Sequence, residues 1–156
     1  MKKTISLIII ILLSVLIFIV FKYHTTDLNI LATQQNEKKS IESYTYNQIE
    51  NGMELSFDKF SGVLTLCEIN LEDSTPFTIS CTSDINCKDG YIFVLDSNYN
   101  IISRFNINET VSNTITPDTN TYILRLVCNK GHNGKAKFTI SSSGKFKINI
   151  KSFFEK

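Results

Sequence analysis

From Gly52 onward, apolar and polar residues alternate with a period of two almost to the end of the chain. Met53, Leu55 and Phe57 share one parity, as do Val63, Cys67, Ile69 and Leu71, and again Phe77, Ile79 and Cys81. Strict alternation is the signature of a strand with one face buried. The run "GYIFVL" is apolar at nearly every position, which predicts a central strand with both faces covered. "NIISRFNI", "VSNTIT", "TYILRLVC", "KAKFTIS" and "KFKINIK" complete about nine segments. Turn-forming clusters separate them: "EDSTP", "CKDG", "DSNYN", "TPDTN", "NKGHNG" and "SSG". Short strands at this spacing, with no helical period between them, predict an all-β domain over residues 51–156. The expected form is an antiparallel β-sandwich or jelly roll of eight to nine strands.

The N-terminal residues follow a different pattern. Lys2 and Lys3 precede an apolar run from Ile5 to Phe21, interrupted only by Ser6 and Ser14. As a helix that run reaches roughly 26 Å, enough for a bilayer core. A cleaved signal peptide is the alternative, but no small-x-small site follows closely, and no cysteine precedes Cys67. Residues 1–21 are therefore expected to form an uncleaved membrane anchor. The leading lysines keep the start cytoplasmic and the remainder outside, and cleavage would instead give a secreted domain. Residues 22–50, dominated by Gln, Asn, Glu and Lys, are expected to form a polar linker or stalk.

Composition adds little chemistry. Hydrophobic residues make up 42% of the chain and aromatic ones 11%, which excludes wholesale disorder. The outward part, residues 22–156, holds 14 basic and 15 acidic side chains. Neither that balance nor the expected location suits a nucleic-acid partner. The balance hides an asymmetry, because residues 130–156 carry seven lysines and a single acid, Glu155.

"FSGVLTLCEINL", then "GYIFVLDSNYNIISRF", then "TNTYILRLVCNKGHNGKAKFTIS" resemble small secreted bacterial β-sandwiches related to pre-peptidase C-terminal domains. The resemblance covers about residues 52–142 and lies in the order of strands and turns. It implies a β-sandwich that serves as an accessory or binding module. Asn120 stands where that family has a glycine before its tyrosine.

Four cysteines in an extracytoplasmic chain point to two disulfides. If "EDSTP" is a hairpin loop centred on Ser74, Leu71 faces Phe77, Ile69 faces Ile79, and Cys67 faces Cys81 at a separation a disulfide can close. Cys87 is then left for Cys128. The rival connectivity is Cys81–Cys87 with Cys67–Cys128, and free buried thiols are the third possibility. A zinc site of Cys81, Cys87, Cys128 and His132 has the wrong spacing for a knuckle or ribbon. A Cys128–His132 nucleophilic pair has no orienting partner or oxyanion donor in sight. Asp96, Asn98 and Asn100 begin like a calcium loop, yet Ile101 and Ile107 stand where an EF-hand needs glycine and glutamate. No nucleophile elbow, phosphate loop or carboxylate pair occurs, so neither catalytic residues nor a metal or cofactor is expected.

The remaining candidate is a row of lysines. Lys135, Lys137, Lys145, Lys147 and Lys151 occupy odd positions opposite Phe138, Ile140, Phe146, Ile148 and Ile150. A hairpin around "SSSG" would put all five on one solvent face. Lysine also guards exposed strand edges, which alone accounts for such a row. The functional expectation is a weak, salt-sensitive docking surface for an anionic wall polymer, a lipid surface or an envelope protein. The whole chain then reads as a non-catalytic, membrane-anchored binding or accessory module of the bacterial cell envelope. The alternative is a structural subunit of a membrane assembly, held through its anchor helix.

Overall fold

A computed structural model describes residues 27–87 and 89–151, so the Ile5–Phe21 run lies outside the described residues. Among the described residues no helix is long and apolar enough to cross a membrane. The strands are β1 (Lys39–Glu42), β2 (Thr45–Ile49), β3 (Gly52–Leu71), β4 (Phe77–Asn86), β5 (Asp89–Asp96), β6 (Ile101–Asn106), β7 (Val111–Ile115), β8 (Thr121–Ser142) and β9 (Phe146–Ile150). A short helix, α1 (Leu28–Thr33), precedes them. All nine strands belong to one open, antiparallel sheet, so the all-β expectation stands.

Two strands organise this sheet. β3 is 20 residues long and β8 is 22, and they pair antiparallel almost end to end, from Gly52↔Thr139 to Asn70↔Thr121. Straight, the stretch of β8 between Tyr122 and Ser142 would span roughly 65 Å. Yet Phe77, which pairs with Ser142, has its ring 5.0 Å from that of Tyr122. β8 therefore doubles back, and β3 with it. Strands turn such corners at bulges and bends. β3 has a register break between Phe60 and Gly62, and β8 has left-handed Lys130 (φ 56°) and Asn133 (φ 48°) opposite it. Gly62 itself has φ 117°, and a Cβ there would lie 2.0 Å from the Lys38 carbonyl oxygen, so only glycine fits.

The corner divides the sheet into two layers. In the first, β1 and β2 flank the start of β3, which is followed across the layer by the end of β8, β4 and β7. In the second, β9 flanks the end of β3, followed by the start of β8, β5 and β6. Met53, Leu55, Phe57 and Phe138 of the first layer share one buried cluster with Leu64, Ile69, Ile92 and Leu126 of the second. A second break between Thr65 and Cys67 switches parity, so Val63 faces outward while Leu66, Cys67 and Ile69 all face the core.

Several local expectations give way to this topology. "EDSTP" is not a hairpin loop: β3 pairs with β8 and β9, whereas β4 pairs with β8 and β7. Cys67 and Cys81 are consequently not partners, and both are buried free thiols. The other half of that connectivity does form, with Cys87 bonded to Cys128. That link sits where β4 passes to β5 beside the corner of β8, since Asn86 pairs with His132 and Asp89 with Asn129. The hairpin around "SSSG" does not form either, because β9 pairs with β3.

The segment expected as a linker is structured from α1 onward. β1 and β2 pair with β3, and α1 covers the outer face of the second layer. Leu28, Leu31 and Ala32 pack there on Val63, Phe93, Leu95, Ile123 and Val127. Arg125, only 1% exposed, projects into the same interface. Its Nε donates to Thr65 Oγ1 (3.0 Å), and its Nη1 donates to the Ala32 and Gln34 carbonyls at the C-terminal end of α1 (2.8 and 2.5 Å). The Tyr99 ring lies 4.5 Å from the guanidinium carbon. Beside it, Glu37 Oε1 accepts the Thr65 N–H at 2.6 Å. Burial alone would raise the Glu37 pKa, but hydrogen bonds from Lys39 and Thr65 outweigh it and hold the carboxyl below its ordinary value.

Burial pushes the thiol pKa of Cys67 up to about 12 and that of Cys81 up to about 11. Native, unreduced protein should therefore show no thiol reactive to iodoacetamide near neutral pH, two after denaturation, and four after reduction. Recovery of a Cys67–Cys81 peptide by mass spectrometry would contradict the assignment. Cys87→Ser should cost about 4 kcal/mol, since the link closes 41 residues of chain. Arg125→Leu leaves three acceptors without their donor and should cost about 3 kcal/mol. Hydrogen exchange should rise first in residues 28–37.

Candidate functional site

The outer face of the first layer carries a groove of about 380 Å³. Four neighbouring strands build it, and register fixes its chemistry in two rows. One row runs Thr45, Ser56, Lys135, Asp84 across β2, β3, β8 and β4; the next runs Asn47, Glu54, Lys137, Thr82. On β3, β8 and β4 these residues alternate with core residues such as Leu55, Ala136, Phe138 and Cys81, so the polar parity points outward by necessity. Thr45 and Ser56 hydroxyls bond each other at 2.7 Å, and Lys137 Nζ lies 3.4 Å from Glu54 Oε1. The groove thus offers hydroxyls, an amide, two carboxylates and two ammonium groups on strands held rigid by the core. Its formal charges cancel.

Lys135 and Lys137 stand in this groove, but the rest of the lysine row is elsewhere. Lys147 lies on β9 opposite Asn70, in the second layer, and Lys151 follows the same strand. Lys145 sits in the turn before β9, where its N–H donates to Asp73 Oδ2. Three of the five are matched with glutamates: Lys137 with Glu54, Lys147 with Glu72 (3.3 Å) and Lys151 with Glu68 (2.7 Å). The five lysines do not share one face.

The other candidates resolve in geometry. Asp96 Oδ1 accepts the N–H groups of Asn98 and Asn100, and its Oδ2 accepts the Asn100 side-chain amide. Those hydrogen bonds hold its pKa below the ordinary carboxylate value and mark a turn-forming role. Cys87 and Cys128 are bonded to each other, which removes them from the zinc set and removes Cys128 as a nucleophile. Among the described residues no group of three or more His, Cys, Asp and Glu side chains converges as metal ligands do.

Thr45, Asn47, Glu54, Ser56, Thr82 and Asp84 were not singled out by sequence reasoning. Their one signal was outward parity, and only the pairing of strands far apart in the chain brings them together. No family model matches the chain, and no curated protein matches it.

The Lys137–Glu54 pair is half exposed, at 55% and 45%. A double-mutant cycle with Lys137→Ala and Glu54→Ala should give a coupling below about 1 kcal/mol that fades with salt. A coupling of several kcal/mol in thermal or urea denaturation would show the pair to be structural.

Proposed function

We propose that the chain is a non-catalytic, membrane-anchored, extracytoplasmic binding module of the bacterial cell envelope, with the first-layer groove as its ligand site. The observation that carries this reading is the groove's composition: two ranks of hydroxyl, amide, carboxylate and ammonium groups, fixed by strand register. Such a surface suits a hydroxyl-rich polymer, which accepts and donates at alternate positions along its length. Lys135 makes no ion pair among the described residues, so it is the group to receive a sparse negative charge on that polymer. A wall polysaccharide bearing occasional phosphate or carboxylate meets both requirements.

The Ile5–Phe21 run supports the anchored placement. The doubled-over sheet is sandwich-like in section, in keeping with the resemblance to pre-peptidase C-terminal domains and their accessory roles. Full-length protein in detergent micelles, incubated with purified wall material at low salt, should be retained. Lys135→Gln combined with Asn47→Ala should weaken retention at least about tenfold, the loss expected when two to three polar contacts disappear. Lys147→Gln, in the second layer, should leave retention unchanged. Equal loss from the Lys147 variant, or no retention of the wild type, would refute the groove as the site.

A further inference from the structure

The second layer carries its own exposed feature, on the side away from the groove. Ile30, Tyr46, Ile101 and Ile102 are the exposed large hydrophobic residues among those described, and three of the four lie on α1 and β6. Leu28, Leu31 and Ala32 turn inward, which leaves Ile30 on the outer side of the helix at 60% exposure. Ile101 and Ile102 follow Tyr99 and precede Arg104 on β6. Tyr99 packs into the cluster under α1, and Arg104 Nη1 donates to Asn29 Oδ1 at 2.8 Å. The two isoleucines are therefore bracketed by residues that touch α1.

Only residues 22–27 separate Phe21 from α1, and six extended residues reach roughly 20 Å at most. A linker running to residue 50 would have let the domain sit anywhere; the docked helix does not. We infer that the α1–β6 face lies on the bilayer, with Ile30, Ile101 and Ile102 at the interface and the groove turned away from it. This inference rests on the membrane-anchored reading. Contact is apolar rather than electrostatic, because Asp27 and Asp89 stand with Arg104 around the shallow depression beside Asn29. A polymer site on the far layer would then face outward, unobstructed by lipid.

The sequence contains no tryptophan, so single reporters are clean. Ile30→Trp, Ile102→Trp and Tyr46→Trp are each placed in full-length protein reconstituted into phosphatidylcholine–phosphatidylglycerol vesicles with brominated upper acyl chains. Loss of fluorescence is expected for the first two and none for Tyr46→Trp, which lies on β2 in the other layer. Unmodified protein in the same vesicles should show slower hydrogen exchange over residues 28–33 and 97–104 than in solubilised form. Protein that resists alkaline extraction yet shows no quenching at residues 30 and 102, or equal quenching at 46, overturns the inference. Protein washed off by alkaline carbonate overturns the anchor, and the inference with it.

Discussion

The pairing of β3 with β8 sets every other position in the molecule, because two long strands hydrogen-bonded along their length must turn a corner at the same place or lose their ladder. The Phe60/Gly62 break in one and the left-handed Lys130 and Asn133 in the other let them turn together. Once they do, the inner faces of both halves meet, and shorter strands have only outer edges on which to pair. β4 and β5 attach to opposite ends of β8, and the Cys87–Cys128 bond fastens the passage between them. Between the edge strands, Asn113 Nδ2 donates to Ser103 Oγ at 2.5 Å, joining the end strand of the first layer, β7, to that of the second, β6.

Arg125 solves a different problem. The second layer has apolar side chains on both faces, and without a cover Phe93, Ile123 and Val127 would be exposed to water. α1 is only six residues long, too short to be stable alone. The guanidinium binds the carbonyls that such a helix leaves open at its C-terminal end, where a cation also meets the favourable end of the helix dipole. Burying that charge is tolerable because Thr65, two carbonyls and the Tyr99 ring receive it.

Local physics was legible and topology was not. "GYIFVL" announced a strand covered on both faces, and β5 has Ile92 and Val94 in the core with Phe93 and Leu95 beneath α1. "NKGHNG" reads as a turn between two strands, but β8 runs through it unbroken and bends there, with Lys130 and Asn133 left-handed. Nothing in those six residues says whether the chain leaves the sheet for a hairpin or turns a corner within it. The same ambiguity misplaced "EDSTP" and "SSSG", and with them the Cys67–Cys81 bond and the single lysine face. Residues 39–49 looked like linker because β1 and β2 lie along the outer edge of β3, where most of their side chains are exposed. The groove was invisible for a related reason: parity fixes which residues face out, but only register fixes which of them meet.

Contacts such as Met53↔Phe138 join residues more than eighty positions apart. A fold dominated by such long-range pairs has high contact order and assembles slowly, since loop closure must precede the reward. Until β8 is available, β3 has no central partner and the core faces stay wet. During that interval all four cysteines are accessible, and Cys87 cannot find Cys128 through native structure. Cys67 and Cys81, inert once buried, are then the competitors that can trap the chain in a wrong bond. The two thiols buried in the finished protein thus make formation of the Cys87–Cys128 bond dependent on how quickly β3 and β8 close the core around them.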